Sequence, residues 1–220
     1  MTLRIYGVLR SRASRNVWLA RELGIPFERI PVIQAYRLAD PGAPDAPFNT
    51  ASPAFRAINP NGLIPAIDDD GLVMNESLAI NLYLARKHGG PLAARDAQED
   101  ALMTMWSLWA ACECEPHALR ILFNRRDRPK GERDPAAAEA AVAALRRPTG
   151  VLDGALRDGG GFLVGGRFTV ADIAVAEVFR YAQAAPELFS DRPHVRAWIE
   201  AGQARPAFRA MMAERALEPE

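Results

Sequence analysis

The sequence predicts an α/β domain followed by an all-α domain. Short apolar strands alternate with helical segments up to Arg86, the run Gly89-Gly90-Pro91 interrupts the chain, and the apolar residues keep helical spacing after about Arg95. We therefore expect a first domain over residues 1–86, a linker over 87–95 and a second domain over 96–220.

The first domain begins with a strand, a helix and a second strand. Alternation of apolar and polar side chains predicts strands over Leu3–Val8 and Phe27–Ile33. Between them, Ser14 is expected to cap a helix that runs to Leu23 and stops at Gly24. The later elements are expected to be an irregular, Pro-rich segment over 34–50, a helix over Pro53–Ile58, a strand over Ile64–Ile67, a turn over 68–71, a strand over Leu72–Met74 and a helix capped by Asn75 or Glu76. The order βαβ-α-ββα predicts one mixed sheet with helices over it, which is a thioredoxin-like arrangement.

The second domain is expected to be entirely helical. Thr169 and Asp172 have the spacing of a capping box, and the helix behind them is apolar nearly all round, as a buried central helix would be. The other features are an amphipathic helix from about Leu102 to Phe123, a charged break over Arg125–Asp134, a helix begun by Asp134-Pro135 that Pro148 must kink or restart, a flexible loop over Asp158–Gly161, and short helices around Val195–Ala201 and Pro206–Ala213.

The composition excludes several classes of function. The 27 basic and 27 acidic residues cancel, so the chain lacks the charge excess that nucleic acid or an anionic membrane would require. No apolar run approaches the length of a membrane span, and the chain opens on a strand pattern rather than a signal peptide. Cys112 and Cys114 lie two apart in a predicted helix, so we expect reduced thiols in a cytoplasmic protein. The three histidines show no metal-ligand spacing.

The loop after the first strand is a candidate for chemistry. Ser11 and Ser14 have the spacing of a Cys-x-x-Cys pair, but hydroxyls replace both thiols and exclude disulfide exchange. A hydroxyl can instead donate a hydrogen bond to a thiolate bound from outside. The alternatives are that Ser11 is an ordinary loop serine, that Ser14 is a plain helix cap and that Tyr6 is a packing residue.

Pro65 is unusual because a proline inside a strand lacks a ladder donor. A cis bond before it would turn the Ile64 N–H and C=O outward, towards a ligand. About 5–6% of such bonds are cis, so the residues alone favour a trans proline at a strand start. Glu76 and Ser77 serve either as a helix cap or as a carboxylate and a hydroxyl for a ligand's ammonium and carboxylate groups.

The stretches Asn59–Ile67 and Asn75–Ile80 resemble the glutathione-binding half of the cytosolic glutathione S-transferases. Leu163–Ala174 resembles the capping motif in the second domain of that family, and Arg196–Ala207 resembles its C-terminal helices. The resemblance covers nearly all of the chain. It implies the glutathione transferase fold, a thioredoxin-like N-terminal domain with an all-helical C-terminal domain, in a bacterial-looking member of the serine type.

The resemblance also implies roles for individual residues. Ser11 matches the catalytic serine that hydrogen-bonds the glutathione thiolate. The bond between Ile64 and Pro65 would be cis and would pair with the cysteine of glutathione, while Glu76 and Ser77 would hold the γ-glutamyl end.

The glycine end of glutathione is where this sequence departs from the family. Leu63 stands where the family often has Lys or Gln, and it offers only backbone groups. Asn49, Arg37 or another loop residue would then hold the glycine carboxylate.

The expected reaction is attack of the thiolate on a hydrophobic electrophile, with glutathione as co-substrate and no metal. Alternatives are a non-catalytic glutathione-binding or scaffold protein and a glutathione-dependent isomerase. A homodimer is expected from the family, with the sheet domain packing on the partner's helices. The second domain would supply most of the electrophile pocket, although tryptophans at helical spacing are more often core residues. The pocket candidates are Arg12, Trp106, Trp109, Glu113 and His117.

Overall fold

The computed structural model describes residues 2–219. Their strands form one four-stranded sheet in the order β2-β1-β3-β4, in which β1 is parallel to β2 and antiparallel to β3, and β3 is antiparallel to β4. The predicted mixed sheet is therefore confirmed. The strands are β1 (Leu3–Tyr6), β2 (Phe27–Ile30), β3 (Ala66–Asp69) and β4 (Leu72–Asn75).

The α-helices of the described residues are, in chain order, α1 (Ala13–Glu22), α2 (Pro53–Ile58), α3 (Ser77–His88), α4 (Ala97–Trp109), α5 (Glu115–Leu122), α6 (Pro135–Asp158), α7 (Val170–Ala182), α8 (Pro193–Gln203) and α9 (Pro206–Leu217). Two π-helical segments, Ala110–Cys114 and Phe123–Asp127, continue α4 and α5. Short 3₁₀ turns occur at Ala35–Arg37, Lys130–Glu132 and Pro186–Phe189. None of the helices between residues 2 and 219 combines the length and apolar composition that a membrane crossing needs.

The chain divides into two compact units. One contains the residues up to His88 together with those from Pro206 onward, and the other is Gly89–Arg205. Helix α9 therefore groups with the α/β unit, whereas the sequence placed it in the domain over 96–220. The physical reason is packing between α9 and α1, where the rings of Phe208 and Trp18 meet edge to face at 4.9 Å and Glu214 pairs with Arg21.

The register of the sheet brings three chain segments to one end of the first unit. Tyr6, the last residue of β1, lies opposite Ile30 on one side and Ala66 on the other. Ala66, the first residue of β3, also lies opposite Asn75, the last residue of β4. The loop after β1, the Ile64-Pro65 segment before β3 and the start of α3 after β4 consequently leave the sheet from the same row of residues.

Local capping signals set the helix starts of the second unit as predicted. The Asp134 carboxylate accepts a hydrogen bond from the Ala137 N–H, which caps α6. Thr169 and Asp172 form the predicted capping box at α7, and the Asp172 carboxylate also accepts from the Trp198 indole at 2.9 Å. Helix α7 is buried along almost its whole length, which confirms its central position.

One local prediction was wrong and another is contradicted only in part. Helix α6 is continuous from Pro135 to Asp158, so it does not restart at Pro148, where Leu145, Thr149 and Leu152 are buried around the proline; a kink there stays a prediction. Ser14 does not cap α1, since the helix already begins at Ala13. Ser14 lies buried in the first turn.

Candidate active site

The end of β1 depends on a glycine that the sequence analysis treated only as part of a strand. The Gly7 N–H donates to the Ile30 carbonyl at 2.9 Å, and its φ is +144°. A Cβ at Gly7 would lie 2.9 Å from the Ala13 Cβ and 3.3 Å from the Ile64 Cβ. The start of α1 and the Ile64 segment can approach β1 this closely because Gly7 has no side chain.

Ser11 lies half-buried in the loop between β1 and α1. Its hydroxyl donates to the Val8 carbonyl at 2.6 Å and accepts from the Ala13 N–H at 3.1 Å. The Ser14 hydroxyl, fully buried, donates to the Ser11 carbonyl at 3.1 Å. A serine carries a single donor proton, so Ser11 must rotate its hydroxyl away from Val8 to donate to a ligand.

Tyr6 is a core residue, in agreement with the packing alternative. It is 7% exposed. It belongs to a buried cluster with Val32, Phe55, Ile64 and Ala66.

The Ile64-Pro65 segment enters β3 through a cis peptide bond. Asn59 fixes the chain just before the Ile64-Pro65 segment. Its side-chain amide donates to the Leu63 carbonyl at 2.7 Å, and its side-chain oxygen accepts from the Asn75 amide at 3.1 Å. The Ile64 side chain is buried, whereas that of Leu63 is 63% exposed. Leu63 thus presents apolar surface beside the cis bond.

Glu76 and Ser77 form the mouth of α3. Glu76 is exposed and has a φ of +67°, a left-handed conformation that costs a non-glycine residue roughly 1–3 kcal/mol. Strain of this kind tends to be retained where a ligand is bound. Ser77 is buried, and its hydroxyl oxygen accepts from the Arg15 guanidinium at 3.0 Å. The Ser77 proton is therefore directed away from Arg15 and is available to a ligand at the positive end of the helix.

A buried polar network holds α1 against α3, and the sequence analysis missed it. Arg15, Asn16 and Asn81 are each at most 1% exposed. The Asn16 amide donates to the Ser77 carbonyl at 2.8 Å and to the Asn81 side-chain oxygen at 2.7 Å, and the Asn81 amide donates to the Arg15 carbonyl. The available signal was the pair Arg15-Asn16, two adjacent polar residues on a short helix between two apolar strands.

Asn49 does not have the position expected of a ligand contact. It is 1% exposed, and its amide donates to the Pro41 carbonyl at 3.1 Å and the Pro47 carbonyl at 2.8 Å, while its side-chain oxygen accepts from the Ala51 N–H. These bonds use both amide protons to fold the Pro-rich loop. This geometry therefore does not support the predicted contact between Asn49 and the glycine carboxylate of glutathione.

The second unit contains an open groove of about 660 Å³. Among the predicted electrophile contacts, Trp109 and Glu113 line it, whereas Trp106 is 8% exposed and packs edge to face on Trp109 at 5.0 Å. His117 is half-buried outside that lining, and Arg12 is an exposed residue of the first unit. The groove is lined by Ala101, Thr104, Met105, Leu108, Trp109, Cys112 and Glu113.

The cysteines are free, as expected. Cys112 is exposed at the groove, whereas burial raises the pKa of the Cys114 thiol far above its usual range, so that thiol stays protonated. Between residues 2 and 219 no group of three or more His, Cys, Asp or Glu side chains is placed to hold a metal ion.

Comparison with known proteins identifies the family. The family model "Glutathione S-transferase, N-terminal domain" matches residues 11–87, and "Glutathione S-transferase, C-terminal domain" matches residues 135–201. Glutathione S-transferase 3 of Zea mays is 33% identical, across 99% of this chain and 96% of that protein. The chain belongs to the glutathione S-transferase family.

Other relatives agree with this assignment to the glutathione S-transferases. A glutathione S-transferase of Hyoscyamus muticus is 30% identical, across 94% of this chain and 96% of that protein. The crystal structure of the theta class enzyme from Xanthomonas axonopodis pv. citri, with glutathione bound, superposes with a TM-score of 0.79 and 29% identity, covering 94% of this chain and 95% of that one. The predicted glutathione transferase fold is thereby confirmed.

The close approach at Gly7 gives a stability prediction. We expect Gly7→Ala to lower the free energy of unfolding by about 2–4 kcal/mol, because the new Cβ adds a steric clash to an unfavourable φ. Gly24→Ala is the matched control, since Gly24 also has a positive φ but nothing lies within 4 Å of its added Cβ. Urea denaturation measures both, and equal losses for the two variants would contradict a special role for the space at Gly7.

Proposed function

We propose that this glutathione S-transferase family member is an active transferase in which Ser11 stabilises the thiolate of bound glutathione for attack on a hydrophobic electrophile. The observation that carries the proposal is the row Tyr6–Ala66–Asn75. The Ser11 loop, the cis Ile64–Pro65 bond and the mouth of α3 all leave the sheet from this row. A short peptide laid across it would meet a hydroxyl, free backbone groups and a positive helix end in turn.

The same row favours one direction of binding for the peptide. Ala66 lies opposite Asn75, so Glu76 and Ser77 are at the Pro65 end of the Ile64–Pro65 segment. With the γ-glutamyl carboxylate on Ser77 and its ammonium near Glu76, the cysteine pairs with the Ile64 backbone. The glycine then extends towards Leu63.

The glycine end of glutathione would be held by a different group from that expected at Asn49. Leu63 contributes only apolar surface there. The Arg56 guanidinium lies beside Gly62, with its Nε 3.7 Å from the position of an added Cβ. We propose Arg56 as the cation nearest the glycine carboxylate, in place of the Lys or Gln of relatives.

When Ser11 donates to the thiolate, it exchanges one hydrogen bond for another. Donating to a thiolate is worth roughly 1.5–3 kcal/mol, but the bond to the Val8 carbonyl, worth roughly 0.5–1.5 kcal/mol, is given up. The net gain of about 1–2 kcal/mol is less than the roughly 2.7 kcal/mol needed to lower a thiol pKa by two units. The positive start of α1, worth about 0.3–1 kcal/mol, supplies much of the remainder.

The chemical step then needs no redox partner. The glutathione thiol loses its proton to solvent, the thiolate forms a carbon–sulfur bond with the electrophile, and either a leaving group departs with the bonding electrons or a proton completes an addition. Such conjugation is a detoxification reaction, and two free cysteines suit a reducing cytoplasmic setting. The electrophile contacts at Arg12, Trp106, Trp109, Glu113 and His117 stay predictions.

The test is glutathione conjugation to chlorodinitrobenzene by the wild type and Ser11→Ala. Loss of a net 1–2 kcal/mol should lower kcat/KM by about tenfold and move the pH–rate profile to higher pH. Ser14→Ala and Tyr6→Phe serve as controls, because these hydroxyls are the alternative thiolate donors and are buried away from solvent.

Three outcomes would contradict this account. A larger loss in Ser14→Ala or Tyr6→Phe would move the role to that residue. Glutathione binding by calorimetry, without turnover on a panel of electrophiles, would favour a non-catalytic binding protein. Turnover confined to isomerisation would favour the isomerase alternative.

We further propose a homodimer. Leu102, Met105 and Leu108 recur every three residues along α4 and are 44–60% exposed, an apolar strip that a partner subunit would cover. Light scattering should give twice the chain mass of 24.1 kDa. A mass of one chain at micromolar concentration would contradict it.

A further inference from the structure

Glu218, the first residue after α9, reaches the loop that carries Ser11. One carboxylate oxygen accepts from the Leu9 N–H at 2.8 Å and from the Arg29 guanidinium at 2.6 Å, and the other accepts from the Arg10 N–H at 2.9 Å. The Arg10 side chain returns a hydrogen bond to the Glu218 carbonyl at 3.1 Å. These contacts join residues 189 to 209 positions apart in the chain.

The arrangement is an anion-binding cradle occupied by the protein's own carboxylate. Two consecutive backbone N–H groups and a guanidinium converge on Glu218, whose side chain is only 11% exposed. Consecutive N–H groups form a common anion site, and hydrogen bonds to a charged acceptor are about twice as strong as neutral ones. The contact is therefore much stronger than a surface ion pair.

The cradle lies immediately before Ser11 in the chain. Leu9 is fully buried, the Arg10 carbonyl accepts from the Gln34 side chain, and the Ser11 hydroxyl bonds back to Val8. A shift of the Leu9 and Arg10 amides would displace Ser11, because Ser11 directly follows Arg10 in the chain. Displacement of a catalytic hydroxyl by about 1 Å can cost two orders of magnitude in rate.

We propose that Glu218 is a positioning residue that fixes the Ser11 loop by filling the cradle of the Leu9 and Arg10 amides and the Arg29 guanidinium. The expected effect of Glu218 on the rate rests on the proposed function, whereas its expected effect on the Ser11 loop does not. A small carboxylate from solution fits the same cradle when the Glu218 side chain is removed.

The matched control is Glu214, which also ties α9 to the first unit. Its ion-pair partner is Arg21, which lies near the end of α1 and ten residues after Ser11. Glu218→Ala should lower kcat/KM with glutathione by about tenfold or more, mainly through kcat, whereas Glu214→Gln should stay within about twofold. Acetate should restore part of the Glu218→Ala rate, and chloride at the same ionic strength should not.

Amide hydrogen exchange gives a readout that needs no activity. The Leu9 and Arg10 amides should exchange at least about tenfold faster in Glu218→Ala than in the wild type or Glu214→Gln, because their acceptor has been removed. If Glu218→Ala fails to fold, Glu218→Gln replaces it, since the amide keeps one acceptor without the charge and should give an intermediate effect.

The outcomes separate the inference from the proposed function. A wild type without glutathione-dependent turnover would remove the proposed function but leave the exchange test standing. Unchanged exchange at Leu9 and Arg10, equal losses of rate in the Glu218 and Glu214 variants, or no rescue by acetate would each overturn the positioning role. Faster exchange confined to the loop, with acetate rescue, would support it.

Discussion

The close approach of three segments at Gly7 is the constraint on which the site depends. Gly7 keeps its hydrogen bond to Ile30 in the sheet while the start of α1 and the Ile64 segment press against the place where a side chain would be. The loop that leaves Gly7 carries Ser11, and the Ile64 segment carries the cis bond. A side chain at this point would separate the hydroxyl from the backbone groups with which it is proposed to share a ligand.

In the proposed function, preference for a thiolate at this end of the first unit would come from several weak sources rather than from one strong residue. In that proposal Ser11 would exchange its hydrogen bond to Val8 for one to a thiolate, so its net contribution would be modest. The buried Arg15 orients Ser77 at the start of α3, and the Leu9 and Arg10 amides hold the Glu218 carboxylate close by. The Arg15 guanidinium and the start of α3 are thus fixed before a ligand arrives, whereas the Leu9 and Arg10 amides are already occupied by Glu218.

Much of the fold could be predicted from the sequence because its signals are local. Pro53 at a helix start, the Asp134 cap and the Thr169–Asp172 box each act within a few residues, and their helices begin as expected. Ser11, Glu76 and Ser77 are site candidates because of a resemblance between motifs. Without that resemblance, a loop serine is the better interpretation of Ser11, and Glu76 and Ser77 could be no more than a helix cap.

The remaining features depend on contacts between residues distant in sequence. Asn49 holds its own loop together through hydrogen bonds with three backbone groups of that loop, and its residue type alone does not reveal this. Pro148 stays inside a helix because buried neighbours hold it there. Helix α9 joins the first unit through Trp18 and Phe208, and no sequence pattern links Glu218 to Leu9.

A crystal structure with glutathione bound tests the central claim most directly. The account predicts the sulfur within hydrogen-bonding distance of the Ser11 Oγ, with that hydroxyl turned away from Val8, the cysteine paired with the Ile64 backbone and the γ-glutamyl carboxylate on Ser77. A sulfur beyond the reach of Ser11, or a peptide bound in the opposite direction with its glycine at Ser77, would contradict it.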